Sequence, residues 1–340
     1  MNQMSAPAIV SHKLRAWSGV PALLLALLAV FLLHIAVGAK PLPIQTVIEA
    51  LTGFDSTNFD HVIIRNLRLP RAVIAIVVGA SLSLAGALMQ GVTRNPLADP
   101  SLLGLTSGAA FAVVVSTALF GAAGLALIPW IAMAGALGAA AIVYLIARLV
   151  PGGATPLSLT LAGAAISAFL GAVISVIHLL NQDTFENLRV WLTGGLAGRD
   201  IALLAYVGPW MALALLAGIV LAARVTLLAM GDEVAQGLGI RTGLLKAQLL
   251  AVVVVLSASS VALAGPLGFI GLVIPHVVRL YVGSDYRWIV PYAALAGAAY
   301  LVSVDIVARI AIPPREISTG IITAMIGAPL FVHLVRRRTR

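Results

Sequence analysis

The sequence predicts an all-α polytopic membrane protein with about ten transmembrane helices, organised as a single domain over residues 1–340. Three observations carry the prediction. Of the 340 residues, 61% are hydrophobic and only 10% are charged, which lies outside the range of soluble globular chains. Apolar stretches near the ~20 residues needed to span hydrocarbon follow one another along the chain. Basic residues gather in alternate connections, as the positive-inside rule requires.

Taken in order, a tail over 1–19 with Lys13 and Arg15 leads into a first apolar run at 20–39. Ala36 and Gly38 would suit a cleavage site, but the run exceeds the ~7–15 residues of a signal-peptide core, so a retained helix is expected. The second run, 70–90, opens at RNLRLPR, where Arg65, Arg68 and Arg71 cluster. Such cations either reach from the interface to water or receive an acidic partner. Gly79, Ser83 and Ala87 recur every four residues along this run, a strip that lets helices approach closely. In RNPLADPSLLG, 94–104, Pro96 and Pro100 exclude a continuous helix and hold the preceding residues extended.

Runs three and four cover 102–120 and 127–148. The fifth, 157–180, carries Gly163, Ser167, Gly171 and Ser175 at four-residue spacing, suited to close packing or to lining a narrow polar path. After the sixth run, 201–223, comes GDEVAQGLGI, 231–240, a short amphipathic helix. Val234 and Leu238 share a face with Ala235, Asp232, Glu233 and Gln236 point elsewhere, and Gly237 and Gly239 end the turn. Periodicity alone allows an interfacial connector or a knob for a partner's groove. The seventh run is 244–264. The eighth, 268–282, is short and holds Pro275, so a break or tilt is expected. The ninth, 288–308, places Asp305 one turn from Arg309, within pairing reach. The tenth, 317–335, ends in the basic tail 336–340.

Ten spans put both termini on one side. On that side lie thirteen of the 21 basic residues and only four acidic ones, against eight of each on the other, so both termini and GDEVAQGLGI are expected in the cytoplasm. The net charge of +9 therefore reads as a topology signal, with no nucleic-acid partner implied. Cysteine is absent and the six histidines are scattered, which excludes disulfides and thiolate sites and leaves no metal-ligand pattern.

An intramembrane enzyme needs a nucleophile, metal site or acid/base pair within the spans, and none is visible. A secondary transporter usually carries midplane carboxylates or broken helices, and midplane carboxylates are missing. A permease driven by a separate ATPase needs only a cytoplasmic surface that receives force, which GDEVAQGLGI supplies. The chain has no phosphate-binding loop, since none of its lysines, Lys13, Lys40 and Lys246, follows a glycine.

At this point RLPRAVIAIVVGASLSLAGALMQG, RNPLADPSLLG, WLTGGLAGRD, GDEVAQGLGI, ALAGPLGFIGLVIPHVVRL and EISTGIITAMIGAPLFVHLVRR together resemble the FecCD-type permeases of bacterial type II ABC importers, from about residue 65 to the C-terminus. The resemblance implies the type II importer permease fold and a homodimer in the bacterial inner membrane. It also implies two cytoplasmic ABC ATPase subunits and a periplasmic substrate-binding protein. It implies no cofactor or metal in this chain, ATP and Mg being bound by the ATPase. It makes Asp232, Glu233, Val234, Ala235, Gln236, Leu238 and Gly239 the ATPase-coupling helix, and Asn95, Pro96, Leu97, Ala98 and Asp99 part of the cytoplasmic gate. It assigns Arg68, Arg71 and Arg309 to binding-protein docking and Gly163, Ser167, Gly171 and Ser175 to the translocation path. The implied cargo is a ferric siderophore, with haem and then cobalamin as alternatives. One departure is PPREISTG, where Ser318 and Thr319 replace a Pro-Val common in relatives, which puts the local geometry before the tenth span in doubt.

Overall fold

The computed structural model describes residues 6–38, 40–121, 127–151, 153–181, 188–189, 191–313 and 315–338, and among these thirteen α-helices are named below. The first, α1 (Ala6–Ala36), covers 20–36 of the predicted first span, 20–39, and begins well before it. Two short helices, α2 (Ile44–Thr52) and α3 (Phe59–Ile63), were not predicted. In α2, Val47 and Ala50 turn inward onto a small core with Ile35, Leu42 and Ile64, so a strongly amphipathic segment folds back beside the end of α1.

A π-helical turn (Ile64–Arg68) joins α3 to α4 (Leu69–Thr93). A 3₁₀ turn (Pro100–Leu103) then precedes α5 (Leu105–Phe120), α6 (Ile128–Leu149) and α7 (Pro156–Leu180). The remainder is α8 (Ala202–Ala229), α9 (Asp232–Gly237), α10 (Thr242–Ala264), α11 (Ile270–Val282), α12 (Tyr286–Ile310) and α13 (Thr319–Arg338). Among the described residues, seven helices are long and apolar enough to cross a membrane, and three shorter apolar helices correspond to the remaining three predicted spans. Pro275 does not break α11; the irregular stretch is Gly265–Gly268 just before it.

The hub is α4, which packs on α8, α10, α11 and α12. It is apolar on every side and buried along nearly its whole length, as expected of a helix enclosed by others. Its small residues set the approach: a Cβ on Gly86 would overlap the Gly271 carbonyl of α11, and Gly79 and Ser83 meet Gly297 of α12 in the same way. The strip at Gly79, Ser83 and Ala87 is therefore a packing seam. By contrast, α7 is peripheral, resting on α5, α6 and the 3₁₀ turn with most of its length exposed. Chain direction defines two ends. One carries α9, the 94–104 segment and the α11–α12 turn; the far end carries 37–68, 191–201, 265–269 and 311–318.

Candidate functional site

At the first end, α9 is held on three sides. Gly231 turns the chain out of α8 with φ 128°, a conformation that favours glycine. Asp232 Oδ2 then accepts from Lys246 Nζ of α10 at 2.7 Å and lies 3.7 Å from Arg94 Nη2 at the end of α4. Gln236 Nε2 donates to Thr242 Oγ1 at 3.0 Å. Ala235 is 0% exposed and seats the helix, while Val234 and Leu238 remain 46% and 60% exposed. The predicted face thus splits: Ala235 turns inward, and Val234 and Leu238 form an apolar pair left exposed by the described residues. Glu233 and Gly239 are also exposed.

The 94–104 segment is built from two side-chain caps. Asn95 Oδ1 accepts from the Leu97 N–H at 2.9 Å, and Asp99 Oδ1 accepts from the Ser101 N–H at 2.9 Å, starting the 3₁₀ turn. Ala98 is buried and Leu97 exposed, with Pro96 half-buried between Asn95 and Leu97. Burial pushes the Asp99 carboxyl above its ordinary range, against the opposing hydrogen bonds from Ser101. Arg94 ends α4 in a left-handed conformation with φ 51°, so one of the two cations beside Asp232 is also the first residue of this segment. Behind it, Gln90 donates to the Gly271 and Leu272 carbonyls at 3.1 and 3.2 Å and accepts from Arg279 Nη1 at 2.6 Å. Arg279 Nη2 also donates to the Tyr286 hydroxyl at 2.9 Å. The sequence reading missed this network; its visible trace is Gln90, an amide inside an otherwise apolar helix.

The far end holds a buried charge cluster. Asp305, 0% exposed, accepts from Arg71 at 2.7 and 3.0 Å, from Arg309 at 3.2 Å and from the Thr319 hydroxyl at 2.7 Å. His34 Nε2 lies 2.8 Å from the same carboxylate. Arg71 Nη1 also donates to Glu316 at 2.6 Å. The predicted Asp305–Arg309 pair is present, and Ser318 and Thr319 are accounted for. Ser318 donates to the Gly194 carbonyl, Gly320 N–H donates to the same carbonyl at 3.0 Å, and Gly195 N–H donates to Ala264 at 2.8 Å. Three separated stretches, 193–195, 264–266 and 318–320, are thereby stitched together.

Two of the arginines assigned to docking, Arg68 and Arg309, are turned into the fold. Both are buried. Arg68 donates to the Ile35, Ala36 and Lys40 carbonyls, and Arg309 to those of His34 and Val37. The orphan carbonyls at the end of α1 need donors, and these guanidinium groups supply them, so neither is presented to a partner here. Arg71 keeps 12% exposure beside the partly exposed Glu316.

Along α7, Gly163 is buried, Ser167 and Gly171 are half-buried and Ser175 is exposed. A Cβ on Gly171 would meet nothing within 4 Å. Ser175 donates back to the Gly171 carbonyl at 3.0 Å. The strip therefore runs from a packed end to an open one. Among the described residues, no group of three or more His, Cys, Asp or Glu is placed to hold a metal.

Among the described residues, ten apolar helices, the hub α4 one of them, with polar assemblies towards their ends, define a multi-span membrane protein. Residues 25–337 match the FecCD transport family, and the chain belongs to that family. It is 45% identical over 293 residues to a siderophore transport system permease of Bacillus subtilis, covering 86% of this chain and 88% of the relative. It is 41% identical over 321 residues to the ferric enterobactin transport system permease of Escherichia coli, covering 94% and 96%. Among solved structures, a metal-chelate type ABC transporter in an inward-facing conformation superposes with a TM-score of 0.80 at 28% identity, covering 96% of this chain and 99% of that one. The fold is that of a type II ABC importer permease.

Proposed function

We propose that this chain is the membrane-spanning subunit of an ATP-powered importer that carries a ferric siderophore into the bacterial cytoplasm by alternating access. Family membership and the siderophore and enterobactin transport systems named for its relatives support the cargo class. The observation that carries the mechanism is α9: an exposed apolar pair, Val234 and Leu238, on a helix clamped through Asp232 to α10 and to the start of the 94–104 segment.

A partner ATPase gripping Val234 and Leu238 would pull on Asp232, and Asp232 faces Arg94, so force would reach Asn95, Pro96, Leu97, Ala98 and Asp99 as a gate. ATP and Mg would belong to that partner, and this chain needs no cofactor. Two copies would enclose the path, with Gly163, Ser167, Gly171 and Ser175 of α7 along it, and the exposed, small-residue stretch of α7 supports this. An extracytoplasmic binding protein would engage Arg71 by exchanging its own carboxylate for that of Glu316, while Arg68 and Arg309 hold the platform from within. Both termini would lie in the cytoplasm, in keeping with the basic residues on that side.

The test is Val234→Asp with Leu238→Asp in the purified permease reconstituted with its ATPase and binding protein. The variant is expected to fold, to lose transport and to lose binding-protein control of ATP hydrolysis. Unchanged transport would remove α9 from the mechanism.

A further inference from the structure

We propose that the far end carries a phospholipid site in which Arg199 holds the phosphodiester. A cavity of about 430 Å³ opens where the first turns of α6 and α8 and the last turn of α10 meet the 191–200 stretch. That volume falls within the range of small-molecule sites, on the order of 300–1,000 Å³. Trp130, Trp191, Tyr206 and Leu203 form its walls, with Arg199 and Asp200 as its charged members.

The charge balance singles this place out. Arg68, Arg71 and Arg309, at the same end, are each matched by carboxylates or by backbone carbonyls. Arg199 donates through Nε to the Gly195 carbonyl at 2.9 Å and forms no ion pair with any described residue. Burial draws its guanidinium below its ordinary range, with no opposing contribution from an anion among the described residues. The adjacent Asp200 forms no ion pair with it; the Asp200 Oδ1 accepts from the Ala202 N–H at 2.8 Å at the start of α8. A partly desolvated, uncompensated cation is costly, and the guanidinium fork matches phosphate oxygens.

The walls indicate how the phosphate arrives. Trp130 and Tyr206 meet edge to face, centroids 5.7 Å apart at 73°, and both are exposed at the ends of membrane helices, where amphipathic rings settle at headgroup level. Ile128, Leu203, Ala262 and Leu263 continue the lining with apolar surface, along which an acyl chain can lie. A free anion would have no use for that wall.

The full-length permease, purified and delipidated in detergent, is examined by native mass spectrometry with phosphatidylglycerol, with diacylglycerol of the same chains, and with phosphatidylglycerol plus excess inorganic phosphate. Wild type is expected to retain phosphatidylglycerol through washing, Arg199→Gln to lower occupancy about tenfold or more, diacylglycerol to stay unbound, and phosphate not to displace the lipid. Equal occupancy in Arg199→Gln, or equal binding of diacylglycerol, overturns the proposal; full displacement by inorganic phosphate assigns the site to a free anion and overturns it as well. If Arg199→Gln does not fold, Trp130→Ala with Tyr206→Ala alters only the exposed walls. That variant is expected to lose the lipid, and undiminished occupancy overturns the site.

Discussion

Replacing Asp305 with alanine should destabilise the permease by about 3 kcal/mol, towards the lower end of the ~3–5 kcal/mol seen when one member of a buried ion pair is removed. The figure follows from what each partner keeps. Asp305 receives four hydrogen bonds, from Arg71 twice, Arg309 and Thr319, and is fully buried. After its removal Arg71 retains Glu316 at 2.6 Å, and Arg309 retains the His34 and Val37 carbonyls at 3.1 and 3.0 Å. Neither cation is stranded completely, so the loss stays near the bottom of the range. Glu316→Gln, at a site 33% exposed, should cost under about 1 kcal/mol, as solvent-screened pairs do. Equilibrium unfolding in mixed micelles, with both variants compared to wild type, measures the difference. An Asp305→Ala variant within about 1 kcal/mol of wild type, or a Glu316→Gln variant equally impaired, would refute this account of the cluster.

Other expectations follow from single contacts. Gly86→Ala forces a Cβ into the Gly271 carbonyl and should destabilise by about 1–3 kcal/mol, whereas Gly171→Ala, with open space around it, should leave unfolding unchanged; the same micelle titration reads both. Thr319→Val removes one donor from buried Asp305 and should cost about 1–3 kcal/mol, with Thr319→Ser recovering most of it. Asp99, raised by burial, binds its proton more tightly folded than unfolded. Its contribution to stability is therefore fullest below the unfolded carboxylate pKa and declines as pH rises through the folded one. Asp99→Asn should flatten that part of a stability-versus-pH curve, and an unaltered curve would contradict the assignment.

Much of the fold was legible because bilayer length is a strong constraint: each of the ten predicted apolar runs corresponds to a helix. α2 and α3 escaped because they are too short to register as spans, and α2 turns Val47 and Ala50 onto the small core at the end of α1. The 231–240 segment was legible as a helix, but its faces were not, since only the packing decides that Ala235 turns inward while Val234 stays out. The arginines show the limit most clearly. RNLRLPR reads as a surface cluster, yet Arg68 is spent on the carbonyls of Ile35, Ala36 and Lys40, and nothing local in sequence couples residue 68 to residue 35. Ser318 and Thr319, which looked like a doubtful departure, are explained by partners far along the chain at Gly194 and Asp305.

The proposed import draws on ATP hydrolysis in another subunit. Proteoliposomes containing the permease, its ATPase and its binding protein should accumulate a radiolabelled ferric siderophore only when ATP is supplied, with haem and cobalamin as parallel cargoes. Accumulation of the siderophore with ATP, and none with a proton or sodium gradient alone, is the predicted result. Uptake driven by an ion gradient without ATP would contradict the account and identify a secondary transporter instead.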